Sequence, residues 1–122
     1  MSTEARLAAR RRGEEAEKLA ARFLADRGLG IVARNYRTRM GEVDIVARDG
    51  PALVFVEVRA RSWGAYGGAA ASVDFRKQRR IVAAARHYLA RLRAEPPCRF
   101  DVLVIQGPHG APAWIRGAFD LS

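Results

Sequence analysis

Leu53-Val54-Phe55-Val56-Glu57-Val58-Arg59-Ala60 is the stretch on which the fold turns. A near-continuous run of apolar and β-branched residues fits a strand covered on both faces, the setting of a central strand in a layered α/β domain. Upstream, Glu42 to Ala47 forms a second strand pattern and Ile31 to Tyr36 a third. Asp49-Gly50, between Glu42 to Ala47 and the Leu53 stretch, is a tight hairpin signal, so an antiparallel meander is expected.

Working outward, Ala16, Leu19, Ala20, Phe23 and Leu24 recur at helical spacing within Glu14 to Arg27, and Gly28 stands where a helix stop belongs. A second amphipathic pattern runs through Ile81, Ala84, Ala85, Tyr88, Leu89 and Leu92, starting near Ser72 to Asp74 and ending before Pro96-Pro97. Phe100 to Ile105 and Trp114 to Ala118 read as strands joined by a turn at Gly107 to Gly110. Ser62 to Ala71, with Trp63 and Tyr66, reads as a long glycine-rich loop. The order is αβββαββ.

At 122 residues the chain has the size of one domain, and its 49% hydrophobic content is enough to fill one layered core. Residues 1–12, with Arg10, Arg11 and Arg12 in a row, are expected to form a basic tail, and residues 13–122 a single domain. No apolar run suits a membrane span or a signal peptide, so a cytoplasmic location is expected. Cys98 stands alone, which excludes an internal disulfide, and no Cys/His spacing suggests zinc.

The formal net charge is +9, from 22 Lys and Arg against 13 Asp and Glu, a field that attracts polyanions. Lys18 and Lys77 are its lysines and the remaining basic residues are arginines, so compositional drift toward arginine competes with nucleic-acid binding as the origin of the charge. Arg37-Thr38-Arg39, Arg61, Arg76-Lys77 and Arg79-Arg80 flank the acidic strands in sequence. Arg37, Arg39, Arg61 and Lys77 are therefore the candidate phosphate contacts. Trp63 and Tyr66 are candidates for stacking on unpaired bases.

Glu57 is costly in a buried strand unless it is paired, hydrogen-bonded or bound to a metal. Arg59 shares its face by the two-residue period of a strand. Glu42 and Asp44 share a face of the preceding strand, and the short hairpin brings Asp44 across from Glu57. Two carboxylates there, aided by a backbone carbonyl, make an oxygen site of the kind Mg²⁺ or Mn²⁺ takes. Glu17, on the flank of the first helix's buried stripe, can complete the cluster. The alternative is an internal salt bridge with no chemistry.

Four stretches resemble the YraN family of small bacterial proteins: Gly41-Glu42-Val43-Asp44-Ile45-Val46, Val54-Phe55-Val56-Glu57-Val58-Arg59-Ala60-Arg61, Tyr66-Gly67-Gly68-Ala69-Ala70-Ala71-Ser72-Val73 and Arg99-Phe100-Asp101-Val102. The resemblance implies a restriction-endonuclease-like αβββαβ core, a mixed central sheet flanked by helices, similar to archaeal Holliday-junction resolvases. It maps a nuclease signature onto Glu17, Asp44, Glu57 and, in place of the usual lysine, Arg59. An arginine cannot act as a general base near neutral pH but can hold a phosphate. Lys77 could supply an amine if its helix end approaches the sheet. The expected function is a metal-dependent, structure-selective DNA endonuclease. A non-cutting DNA-binding module and, less favoured, an RNA-binding domain are the rivals, and homodimerisation is left open.

Overall fold

The computed structural model describes residues 2–61, 73–106 and 111–121, the side chain of Arg61 excepted. Its elements run α1 (Thr3–Asp26), β1 (Gly30–Arg37), β2 (Glu42–Asp49), β3 (Ala52–Arg61), α2 (Phe75–Leu89), β4 (Cys98–Gln106) and β5 (Ala113–Phe119). The strands form one sheet in the order β1-β2-β3-β4-β5. Every neighbouring pair is antiparallel except β3 and β4, which are parallel and so need the long crossover that contains α2. The α/β class, the meander and the element order expected from the sequence all hold. Trp63 and Tyr66 in the glycine-rich stretch, and the Gly107 to Gly110 turn, lie outside the described residues.

The apolar run of β3 is explained by a core on each side. Leu53 and Phe55 pack with Val43, Val46, Phe100 and Val102 under the α2 residues Ile81, Ala84, Ala85 and Leu89. Val54 and Val56 pack with Ile45, Ala47 and Leu103 under Ala16, Ala20 and Leu24 of α1. Both helices stop the way their ends dictate. Gly28, at φ 92°, takes the left-handed conformation after α1, and α2 closes at Leu89.

Three details differ from the sequence reading. First, α1 reaches back to Thr3, with the Ser2 hydroxyl accepting from the Ala5 N–H at 3.1 Å, so most of the supposed tail is helical. Its Ala, Leu, Arg and Glu content is strongly helix-forming without any tertiary partner. Second, the buried stripe of α1 is Ala16, Glu17, Ala20 and Leu24, while Leu19 is exposed. The stripe is rotated so that a glutamate takes the place expected for a leucine. Third, Leu92 lies beyond the end of α2 and is exposed.

Two contacts lock the sheet's geometry. A Cβ on Gly41 would stand 1.9 Å from the Arg80 carbonyl oxygen, so only glycine lets the β1–β2 loop seat against the α2 backbone. Asp101, fully buried in β4, accepts from Arg99 Nε at 3.1 Å, Trp114 Nε1 at 2.9 Å and the Gly117 N–H at 2.9 Å. Arg99 continues to Asp49 at 2.9 Å, tying the β2–β3 turn to β4 and β5. No described helix is long and apolar enough to cross a membrane.

Removing the Asp101 carboxylate takes a shared, fully buried acceptor from three partly buried donors. Asp101→Ala is expected to lower the unfolding free energy by about 3 kcal/mol or more, read as a fall in the urea midpoint.

Candidate functional site

The site begins where β2 and β3 part. Their ladder is regular from Asp49↔Ala52 to Ile45↔Val56 and goes no further. β3 stays paired with β4 through Glu57↔Val102 and beyond, which leaves the Val58 N–H facing the gap. The Asp44 carboxylate fills it, Oδ2 accepting from that N–H at 2.8 Å. Asp44 is also where strict alternation fails: Val43 belongs to the α2 core and Ile45, two residues on, to the α1 core. Opposite it on β1, between the pairs Arg34↔Ile45 and Tyr36↔Val43, Asn35 has φ 53°. Asparagine tolerates that conformation better than most side-chain-bearing residues. Both strands therefore rotate at the same rung and turn the Asp44 carboxylate toward β3.

Glu57 points to the α2 side and is 4% exposed. Its Oε2 is buried without a hydrogen-bond partner among the described residues, with Lys77 Nζ at 3.5 Å and Arg59 Nε at 3.9 Å. Its carboxyl stands within hydrogen-bonding reach of Asp44. Burial, then Asp44's hydrogen bond and charge, push the Glu57 carboxyl up to about 8, against the opposing pull of Lys77 and Arg59. Lys77 reaches the cluster because Asp74 caps α2, its carboxylate accepting from the Lys77 N–H at 2.8 Å. The conditional approach of this helix end to the sheet is thus met. Lys77 sits at the acids rather than on an outer basic face.

Glu17 enters from α1 and pairs with Arg34 at 3.1 Å. Its carboxyl is raised by burial, and by the Asp44 charge, against the attraction of Arg34. The three acids named from sequence therefore form a chain, Glu17 to Asp44 to Glu57, crossing the sheet through the β2–β3 gap. A cleft of about 250 Å³ opens beside Asp44 on the α1 side, lined by Arg10, Glu14, Glu17, Asn35 and Arg37 over Val58 and Ala60. Arg34 and Asn35 are neighbours of these acids that the sequence reading missed. An asparagine inside a strand pattern is the signal that could have exposed the second.

The other sequence candidates hold looser positions, Arg37 at the rim of the cleft beside Asp44. Arg37 is exposed and pairs loosely with Glu42 at 3.5 Å. Arg39 lies on the loop that Thr38 closes, its hydroxyl accepting from the N–H groups of Met40 and Gly41 at 3.1 Å. Arg61 ends β3, and its side chain lies outside the described residues.

Among the described residues no group of three His, Cys, Asp or Glu is arranged to hold a metal. The donor set here is the Asp44 and Glu57 pair, with one buried Glu57 oxygen lacking a hydrogen bond. Mg²⁺ commonly takes one or two carboxylates and completes its shell with water and phosphate oxygens, so the pair fits such an ion. Binding there would compete with the proton that burial and Asp44 favour on Glu57.

A five-stranded mixed sheet with a helix on each face, and acids gathered where its strands part, is an α/β architecture consistent with a nuclease-like core. The chain belongs to the uncharacterised protein family UPF0102, whose sequence model matches residues 16–105, in keeping with the YraN resemblance. A UPF0102 protein of Nitrosospira multiformis is 51% identical over 114 residues, covering 93% of this chain and 96% of its own. One from Methylibium petroleiphilum is 52% identical over 117 residues, with 90% and 94% covered. One from Nitrosomonas europaea is 47% identical over 112 residues, with 91% and 95% covered.

Because folding raises the Glu57 pKa from 4.5 to about 8, this group's stabilising contribution is full below the lower value and is lost as pH rises through the upper one. Each unit of such a shift is worth about 1.4 kcal/mol. In EDTA the unfolding free energy is expected to decline between pH 5 and pH 8.5, and Glu57→Gln is expected to flatten most of that decline in urea titrations.

Proposed function

We propose that this protein is a metal-dependent, structure-selective DNA endonuclease acting in DNA processing, with Asp44 and Glu57 holding Mg²⁺ or Mn²⁺. The observation that carries the reading is the Asp44–Glu57 pair itself. Asp44 on β2 and the buried Glu57 on β3 stand within hydrogen-bonding reach of each other, with a lysine amine 3.5 Å from Glu57. A purely structural cluster gains nothing from that arrangement, because crowding two acids costs stability at neutral pH. A bound divalent ion supplies charge neutralisation at the scissile phosphate and a more acidic water. The chain's own residues do the rest. Asp44 is aimed by the Val58 N–H, Lys77 brings a compact cation on the α2 side, Arg59 holds a phosphate oxygen, and Glu17 orients water from the α1 side. Arg37 and Arg39 track the backbone of the nucleic acid.

A second reading, a DNA-binding module that does not cut, is favoured by one residue. Arg59 stands where the nuclease signature has lysine. Lys77 answers that objection in part, since it places an amine at the same carboxylate from another element.

Pure protein incubated with branched, flapped, single-stranded and duplex DNA decides between the two. Mg²⁺ or Mn²⁺ should support cleavage of at least one structured substrate and EDTA should stop it. Asp44→Asn and Glu57→Gln are expected to abolish cutting while binding persists or tightens, since negative charge facing phosphate is removed. Lys77→Ala is expected to cost ~100-fold in rate. With Lys77 already at the acids, Arg59→Lys should slow cleavage by weakening the phosphate clamp. If the wild type leaves every substrate intact and calorimetry detects no ion at the acid pair, the enzyme reading is lost and the binding module remains.

Binding itself should weaken steeply with salt, with a log-log slope of about −0.9 per neutralised phosphate on duplex DNA. Charge reversal at Arg37 or Arg39 is expected to reduce that slope with little dependence on sequence, as read by fluorescence anisotropy across a salt series.

A further inference from the structure

α2 carries a second recess, on the side away from the sheet. A cleft of about 330 Å³ lies between its outer face and the end of β5, lined by Phe75, Gln78, Arg79, Val82, Arg86 and Leu121 among others, with Asp120 as its acidic member. Phe75 is 70% exposed, an unusual state for a phenylalanine in a helix whose apolar stripe is otherwise buried. The Arg79 guanidinium lies 5.8 Å from the centre of its ring. Arg86 donates to the Leu121 carbonyl at 3.0 Å, fixing the chain that forms the opposite wall. The recess is thus apolar at its centre and flanked by the Arg79 and Arg86 guanidinium groups, with one carboxylate at Asp120.

Charge decides what such a recess can take. Arg76, Arg79, Arg80 and Arg86 belong to this one helix, in a chain of net charge +9. A second copy would bring the same positive field against itself. The fitting occupant is flat and apolar and comes attached to negative charge, which describes an unpaired nucleobase on its phosphate backbone. The volume lies in the range of sites that enclose small planar ligands.

Position ties the cleft to the acids. Phe75 and Lys77 are two residues apart in the first turn of α2, so they project about 200° apart around the helix with a rise of about 3 Å. Lys77 reaches inward to Glu57, and Phe75 faces out. The cleft and the acid pair thus lie on opposite sides of the same helix end.

We propose that the Phe75 cleft is a base-binding subsite that takes one unpaired nucleobase of a DNA strand engaged at the Asp44–Glu57 pair, which makes DNA with unpaired bases beside a duplex the preferred substrate class. This rests on the nucleic-acid reading above and gives it a selectivity.

The test measures binding of the full chain to a blunt duplex, the same duplex with a single-stranded flap, and a flap of abasic residues, in EDTA so that cutting does not intervene. The wild type should prefer the flap over the blunt and abasic forms. Phe75→Ala should lose roughly ten-fold or more on the normal flap and nothing on the other two, with its salt slope unchanged. Phe75→Trp should keep the preference and show quenched fluorescence on the normal flap alone. Urea midpoints equal to wild type exclude a folding effect, as expected at so exposed a position. Normal flap binding by Phe75→Ala, or equal losses on the abasic flap, would overturn the subsite while leaving nucleic-acid binding intact. Failure of the wild type to bind any of the three DNAs would remove both readings. A shift of the wild type from dimer to monomer on Phe75→Ala, seen by sedimentation, would reassign the cleft to a second copy and overturn the proposal.

Discussion

The bond from the Val58 N–H to the Asp44 carboxylate is the contact on which the site depends. A sheet whose two neighbouring strands separate exposes backbone donors that must find another acceptor. Here the acceptor is a side chain, and meeting that need fixes where Asp44 points. With Asp44 in the gap, Glu57, the residue before Val58 on β3, has a second carboxylate for a neighbour, and Glu17 reaches the same gap from the opposite face. Backbone accounting and acid clustering are two aspects of one arrangement.

Most of the fold could be read from apolar spacing. The β3 run, the two helical stripes and the Asp49-Gly50 turn each carry a period or a turn chemistry that few alternatives share. What stayed hidden arises from choices that spacing leaves degenerate. Leu19 and Glu17 fit the flank of the same stripe, and only the rotation of α1 on the sheet decides which is buried. The charge of the first dozen residues masks a helix that alanine and arginine favour whether or not anything packs on it.

The candidate site was legible in part, and for a definite reason. Asp44 and Glu57 are placed by strand pairing, a near-neighbour relation that a hairpin makes visible. Lys77 is placed by the docking of α2 across the crossover, which no local pattern encodes, so its approach to the sheet could be posed only as a condition. Arg34 was invisible because an arginine on an edge strand looks the same whether it meets water or a buried glutamate. Asp101 shows the converse. A fully buried acid with three donors is structural here, so burial of a carboxylate alone does not mark chemistry.

The parallel pairing of β3 with β4 has a kinetic consequence. The β1–β3 meander joins segments close in sequence, whereas β4 can dock only after the crossover through α2 has closed, a loop whose entropy must be met first. In the order of assembly, Asp44 and Glu57 can come together with the meander, before Lys77 arrives on its helix. The helix that seats with that crossover then adds the Lys77 cation to the Arg59 guanidinium that β3 already carries beside Glu57.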